Sequence, residues 1–290
     1  SRRSARGPAP RSGPPLTTRR VGSPPVWESR MRVVGVCEVG MVVQAAVLRR
    51  RDGVARGAMG VDAADYDGSG RPHLLVGNFA NQMLGLYRNE GNGTFKDVSE
   101  VSGISKVTGR YPMSVAAADF DEDGWIDLYI ACDSTASILY HNNGNATFTD
   151  VALETGAAYN EDGQPQAGMG LAVGDYNRDG RLDIFKTHFM DDTPLLYLNA
   201  GKGLFEDVTR SAGFGAATKY ISWGAGMPDV DNDGWPDIFW VTGNVYPEVE
   251  KVFKQYPHRS PRQLFRNLGN GKFEDISAAS GSGMTTPHSS

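Results

Sequence analysis

The chain has 290 residues, 22% charged and 40% hydrophobic, which is enough for one sizeable core. Its two cysteines, Cys37 and Cys132, exclude a disulfide framework, and no run of 18 apolar residues marks a membrane span. The net charge of −5 averages two unlike segments: residues 1–56 hold twelve Arg against three acids, a balance of +9, which leaves −14 for the rest.

The basic segment comes first. Residues 1–30 are rich in Arg, Pro, Ser and Gly without periodicity. They cannot bury enough apolar surface to offset ordering entropy, which predicts disorder for most of the 1–56 arm. Residues 31–50 are read as a strand or short helix, and no signal peptide is recognisable at the start. The opening on Ser1 and the Ser/Gly/Thr-rich tail at 282–290 read as a fragment of a longer protein.

From residue 57 a repeat takes over. Its clearest copy places Asp119, Asp121, Asp123 and Asp127 at loop positions 1, 3, 5 and 9, with Gly124 at 6. Alternate residues of so tight a loop point oxygens inward, and a hard cation such as Ca²⁺ takes six to eight of them. The spacing returns as Asp175, Asn177, Asp179 and Asp183, and again as Asp229, Asp231, Asp233 and Asp237. A degraded copy reads Asp65, Asp67, Ser69, with His73 at position 9. Three calcium sites and a weaker fourth are therefore expected. The first aspartates lie at 65, 119, 175 and 229, steps of 54, 56 and 54 residues, and such a period marks a repeat architecture. Thirteen of the acids sit at loop ligand positions, and that acidity argues against nucleic acid as partner of the repeat region.

Each copy has the same four apolar runs, as at 113–118, 128–130, 138–140 and 148–151 in the second. Asn- and Gly-rich turns join the third run to the fourth. Four short antiparallel strands per repeat make a blade, and blades packed radially protect their edges. The predicted fold is an all-β propeller with four blades visible, about 57–104, 111–157, 167–214 and 221–281, together spanning 57–280. A portion of a larger ring is favoured over a closed ring of four.

These residues resemble FG-GAP/VCBS repeats of integrin-α-like propellers, and in particular the cartilage-acidic-protein-like family whose bacterial members often continue into an ASPIC/UnbV domain. The motifs are the stretch from Gly168 through Asp175 to Asp183, Leu86-Tyr87-Arg88-Asn89 with Phe95, and Asn244-Val245-Tyr246-Pro247. The resemblance implies a seven-bladed, calcium-dressed propeller that is exported and used for binding. Extracellular calcium modules are weak enough to stay empty at micromolar calcium, so a secreted, periplasmic or cell-surface location is the consistent one.

Rival readings of the loops fare worse. An EF-hand needs a Glu at position 12, where this chain has Val76, Ile130, Lys186 and Trp240. Bare Asp-Gly turns without metal stay open, most of all for the first copy. The Met59, Met113 and Met169 column, with Trp223 in the fourth copy, reads as core. Asn78, Cys132, His188 and Thr242 share one repeat position, either as strand-end variation or as a recognition surface. The stretch 243–263 lengthens the fourth repeat, with 68 residues from Asn199 to Asn267 against 53 and 57 for the earlier steps. Its Tyr246, Phe253, Tyr256, His258 and Arg259 are candidate ligand-binding residues, because recognition concentrates in long loops and in aromatic and Arg side chains.

The functional expectation is a monomeric module, without chemistry of its own, that binds a protein or glycan. The alternative is a propeller-type hydrolase or lyase, whose nearest titratable candidates are His188, Asp133, Asp191 and Asp192.

Overall fold

The computed structural model describes residues 58–79 and 84–288. The basic arm, with its expected disorder and its 31–50 element, lies outside the described residues. Blade 1 comprises β1 (Ala58–Ala64), β2 (His73–Asn78), β3 (Gly85–Asn89) and β4 (Phe95–Asp97). Blade 2 comprises β5 (Pro112–Ala118), β6 (Asp127–Cys132), β7 (Ile138–Asn142) and β8 (Phe148–Asp150). Blade 3 comprises β9 (Gly168–Gly174), β10 (Asp183–His188), β11 (Leu195–Gly201) and β12 (Leu204–Asp207). Blade 4 comprises β13 (Ser222–Gly226), β14 (Ile238–Thr242), β15 (Gln263–Asn267) and β16 (Phe273–Asp275). Every blade is a four-stranded antiparallel meander in chain order.

The second strands explain the continuous apolar runs of the sequence. β2, β6 and β10 are buried along their whole length because a neighbour strand flanks each edge and a core lies over the faces. Leu75, Leu86 and Val98 of blade 1 meet Leu128, Ile130 and Tyr140 of blade 2. Phe120 and Tyr129 meet Ile184 and Tyr197 across the next seam. Phe185 and Leu196 meet Trp240, Phe265 and Phe273 across the last.

The inner strands stack in series, β1 on β5, β5 on β9 and β9 on β13, with no comparable contact from β13 back to β1 among the described residues. The stacking is close enough to dictate glycine. A Cβ on Gly170 would lie 2.1 Å from the Trp223 carbonyl, and one on Gly60 would lie 2.8 Å from the Met113 carbonyl. The neighbouring methionines divide accordingly. Met113 and Met169 are buried between blades as expected, but Met59 is 48% exposed, since β1 has a packed inner strand on one side only among the described residues.

One further reading changes. Asn78, Cys132, His188 and Thr242 are all buried, so they form no recognition surface. They are the last residues of the second strands β2, β6, β10 and β14, paired with the first strands and covered by neighbouring elements. The 282–288 stretch is docked on the long insertion: Arg262 N–H donates to the Met284 carbonyl at 3.0 Å, and Ser260 bridges His288.

Candidate metal centre

Each carboxylate loop connects a blade's first strand to its second. The Gly at position 6 has positive φ in all four loops (75, 93, 90 and 89°), and its N–H donates to the position-1 carboxylate. That bond curls the loop, while the exposed position-5 aspartates Asp123, Asp179 and Asp233 each accept the N–H two residues on, from Trp125, Arg181 and Trp235. The position-9 aspartates are buried, and each uses both oxygens. In Asp127, Oδ1 accepts Asn142 N–H at 2.9 Å and Oδ2 accepts Phe120 N–H at 3.2 Å; Asp183 and Asp237 repeat the pattern.

The loops then diverge. In the second, oxygens of Asp119, Asp121 and Asp127 lie within 4.8 Å of one another, and in the fourth those of Asp229, Asp231 and Asp237 do. Asp119 Oδ1 is buried without a hydrogen-bond partner, a desolvated carboxylate oxygen that calls for a positive charge. Burial, opposed only in part by backbone N–H donors, pushes Asp127 up to about 6 and Asp183 up to about 7, with Asp121 and Asp179 adding repulsion. A hard cation would relieve that frustration, so the residues fit one. His141 Nδ1 stands 3.0 Å from Asp121 at the rim.

The third loop is more self-contained. Asn177 Nδ2 donates to Asp179 Oδ2 at 2.9 Å, and Arg181 pairs with the same oxygen, so Asp179 already has positive company. In the first loop ligand atoms of Asp65, Asp67 and His73 also lie within 4.8 Å of one another, and the histidine closes the turn. His73 Nδ1 accepts Asn89 N–H at 2.9 Å, in the role of the position-9 carboxylate. Its proton therefore sits on Nε2, which donates to Asp67 Oδ1 at 2.8 Å. Burial alone would raise the Asp67 carboxyl, but hydrogen bonds from Ser69 and His73 outweigh it and hold it below its ordinary value.

One set of functional residues was read only as turn formers. Asn142, Asn199 and Asn267 cap the turn through Oδ1, yet each also sends Nδ2 across the seam into the previous blade's loop. Asn142 donates to the Tyr66 carbonyl at 2.8 Å, Asn199 to Phe120 at 2.7 Å and Asn267 to Tyr176 at 2.8 Å. The loop of one blade is thereby bonded to the next blade. Recurrence of Asn with no substitution in four repeats was the available signal, since a turn alone tolerates Asp or Gly.

The long insertion carries α1 (Val249–Val252) and splits its candidate residues by role. Tyr246 and Phe253 are 65% and 52% exposed, and Arg259 is exposed. Tyr256 donates to Asp191 at 2.8 Å and His258 Nδ1 lies 2.8 Å from the Asn244 carbonyl, so these two hold the insertion in place. Of the catalytic candidates, His188 is buried, and burial followed by the Lys186 charge holds its imidazole well below the usual range. Asp191, Asp192 and Asp133 are each engaged separately, by Tyr256, by Ala167 N–H and by Ser134.

Four-stranded blades in series, each with a loop of this spacing between its first two strands, are the architecture of a β-propeller. Residues 65–130 and 119–185 match the family described as FG-GAP-like repeat. The chain is similar to cartilage acidic protein 1 of Xenopus tropicalis, 30% identical over 250 residues that cover 78% of this chain and 36% of that protein. The human protein of that name is 30% identical over 162 residues, covering 51% of this chain and 23% of its own length. The chain thus spans about a third or less of the curated relatives it matches. Among solved structures, an Agrocybe aegerita lectin that recognises non-reducing terminal N-acetylglucosamine aligns with TM-score 0.42 and 20% identity over 73% of this chain and 49% of that one. An exotype rhamnogalacturonan lyase aligns with TM-score 0.37 and 20% identity over 66% and 28%. No described helix is long and apolar enough to cross a membrane.

Proposed function

We propose that this chain is a calcium-stabilised, exported propeller segment that serves as a binding module, without catalytic chemistry of its own. The observation that carries the reading is the second loop, where three carboxylates converge and Asp119 Oδ1 is buried without a partner. Calcium supplies compensating charge to oxygens that otherwise repel. Asp119, Asp121 and Asp127 would hold it in the second loop, Asp229, Asp231 and Asp237 in the fourth, and Asp175, Asp179 and Asp183 more weakly in the third. Asn142, Asn199 and Asn267 transmit the ordering of the first, second and third loops to the next blade, so the ions would stiffen seams rather than isolated turns. Sites of this kind have dissociation constants on the order of 10⁻⁴ to 10⁻³ M, which suits an extracellular or periplasmic setting.

For recognition, Tyr246 and Phe253 on the insertion are the exposed aromatic residues a protein or glycan partner would use. The hydrolase or lyase alternative has less support, because His188 is buried and Asp133, Asp191 and Asp192 are each held by a different hydrogen-bond partner. Thermal unfolding of the chain in millimolar calcium and then in excess chelator tests the proposal. Occupied loops must raise the midpoint in calcium by mass action. Identical midpoints with cooperative unfolding in both conditions would reduce the aspartates to turn formers.

A further inference from the structure

The residue before each turn asparagine on the third strand is Arg88, His141, Leu198 and Arg266 in the four blades. Arg88 pairs with Glu90 at 3.0 Å, Arg266 pairs with Glu274 at 3.4 Å, and Leu198 has no polar side-chain atom. Only blade 2 places an imidazole there. His141 Nδ1 lies 3.0 Å from Asp121 Oδ2 and 3.5 Å from Asp127 Oδ1, two of the carboxylates that converge in the second loop. That loop therefore has a nitrogen donor beside its oxygens, and the fourth loop has none.

Two observations separate this nitrogen from an ordinary rim ion pair. The 3.5 Å contact with Asp127 is longer than a hydrogen bond. Around a metal with bonds of about 2.0–2.2 Å, however, neighbouring ligand atoms stand about 3.0–3.5 Å apart. One imidazole nitrogen at that spacing from two carboxylate oxygens is placed as a third ligand. Its proton state allows the role as well. No described N–H donates to His141, so Nδ1 is free to give its lone pair while the ring keeps its hydrogen on Nε2. His73 of the first loop is the counter-example. Its Nδ1 accepts Asn89 N–H, which holds the proton on Nε2, the nitrogen that faces Asp65 and Asp67. The His141 side chain is 32% exposed, which leaves an ion a path from solvent.

We propose that the second loop takes a zinc-class divalent cation through His141, Asp121, Asp127 and Asp119, in competition with calcium, while the loops without a nitrogen ligand keep calcium. Imidazole suits zinc, copper and nickel, whereas carboxylate and carbonyl oxygens suit calcium. Asp119, whose Oδ1 is buried without a partner, brings the set to four, the number zinc takes. The inference rests on the reading that this loop holds a cation, and it names a second class of ion for it.

The test is calorimetric titration of the full chain with calcium chloride, with zinc chloride, and with zinc chloride in saturating calcium. Zinc should bind one site more tightly than calcium does and displace one calcium ion. His141→Ala should weaken that zinc binding at least about tenfold, since even the outer partners of metal ligands are worth about 10–100-fold. Calcium affinity should stay within about twofold of the parent. His141→Arg installs the residue that blades 1 and 4 carry at this place; it should act in the same way, and it decides the matter if His141→Ala does not fold. The proposal is overturned if zinc binds no more tightly than calcium, or if both variants keep the zinc affinity. It is equally overturned if they weaken zinc and calcium alike, because His141 would then be a hydrogen-bond donor to Asp121 and no ligand. Binding of calcium without zinc makes this inference fail alone, whereas binding of neither ion takes the cation reading of the loops with it.

Discussion

The first and second carboxylate loops share a spacing and a backbone path, and each has a histidine beside it, yet they make opposite demands on solvent. In the first, His73 sits inside the turn, replaces a carboxylate and delivers a proton to Asp67. In the second, Asp127 keeps the inner position, and His141 stands at the rim beside Asp121. The first loop gives Asp67 a hydrogen-bond donor in a neutral imidazole, whereas the second buries an unpartnered carboxylate oxygen at Asp119. The third loop shows that position 9 does not act alone: it keeps Asp183 there, yet Asn177 and Arg181 give Asp179 the partners that Asp119 lacks.

The strongest way to break this comparison is to remove the cation-demanding loops. A ligand at a hundred times its dissociation constant stabilises the folded state by about 2.7 kcal/mol per site. Asp119→Asn with Asp229→Asn should abolish most of the calcium-dependent stabilisation, about 5 kcal/mol for two sites at that excess. Chemical denaturation with and without calcium measures it. A double variant that retains the full calcium response would move the ions elsewhere.

Converting the first loop into the second is the sharper experiment. His73→Asp supplies the missing position-9 carboxylate and leaves Asp65 and Asp67 with only the donors of Ser69 and Gly70. Without calcium this variant should be less stable than the parent by about 1–3 kcal/mol, the range for a disrupted buried hydrogen bond. In calcium it should recover about 2.7 kcal/mol at hundredfold excess and bind one more ion by equilibrium dialysis. Unchanged ion stoichiometry would show that position 9 does not separate the first loop from the second.

Next in size is the seam itself. Asn199→Ala removes a buried amide that bridges to Phe120 and to Leu182. It should destabilise by about 1–3 kcal/mol and lower apparent calcium affinity at the second loop. Asn89 caps its turn at Gly91 as the others do, but its Nδ2 reaches only the exposed Pro72 carbonyl of its own blade, so Asn89→Ala should lose a fraction of that. Equal losses at the two positions would remove the coupling of loop to next blade.

How much of this was legible follows from what each feature depends on. The blades could be read from the chain because period-2 pairing and Asn/Gly turns are local, and a repeat states them four times. The loops could be read because carboxylates at alternate positions have few other uses. The seam bonds of Asn142, Asn199 and Asn267 reach residues 76 to 91 positions away, and a residue already justified by its turn gives no hint of a second partner. The exposure of Met59 and the burial of Asn78, Cys132, His188 and Thr242 depend likewise on which surfaces neighbours cover. The inner-strand glycines sit between the two cases: Gly60 and Gly170 look like ordinary strand breakers until the adjacent blade is in place.

The smallest effect expected is one of pH, and it separates the metal-free protein from the loaded one. Asp127 and Asp183 are pushed up to about 6 and about 7 by burial, well above the unfolded value of 3.8. The folded state then holds protons that the unfolded state has released. Stability from these two groups is fully present below pH 4 and is lost as pH rises toward 7. Each carboxyl can contribute a slope of at most about 1.4 kcal/mol per pH unit, and screening and relaxation reduce it. The chelated protein should therefore lose stability, by about 1 kcal/mol, between pH 5 and 7. Saturating calcium favours the ionised carboxylates, so the same interval should then show a flat or rising profile. Parallel profiles in the two conditions would mean that Asp127 and Asp183 keep their protons regardless of calcium, and the frustration assigned to these loops would not be electrostatic.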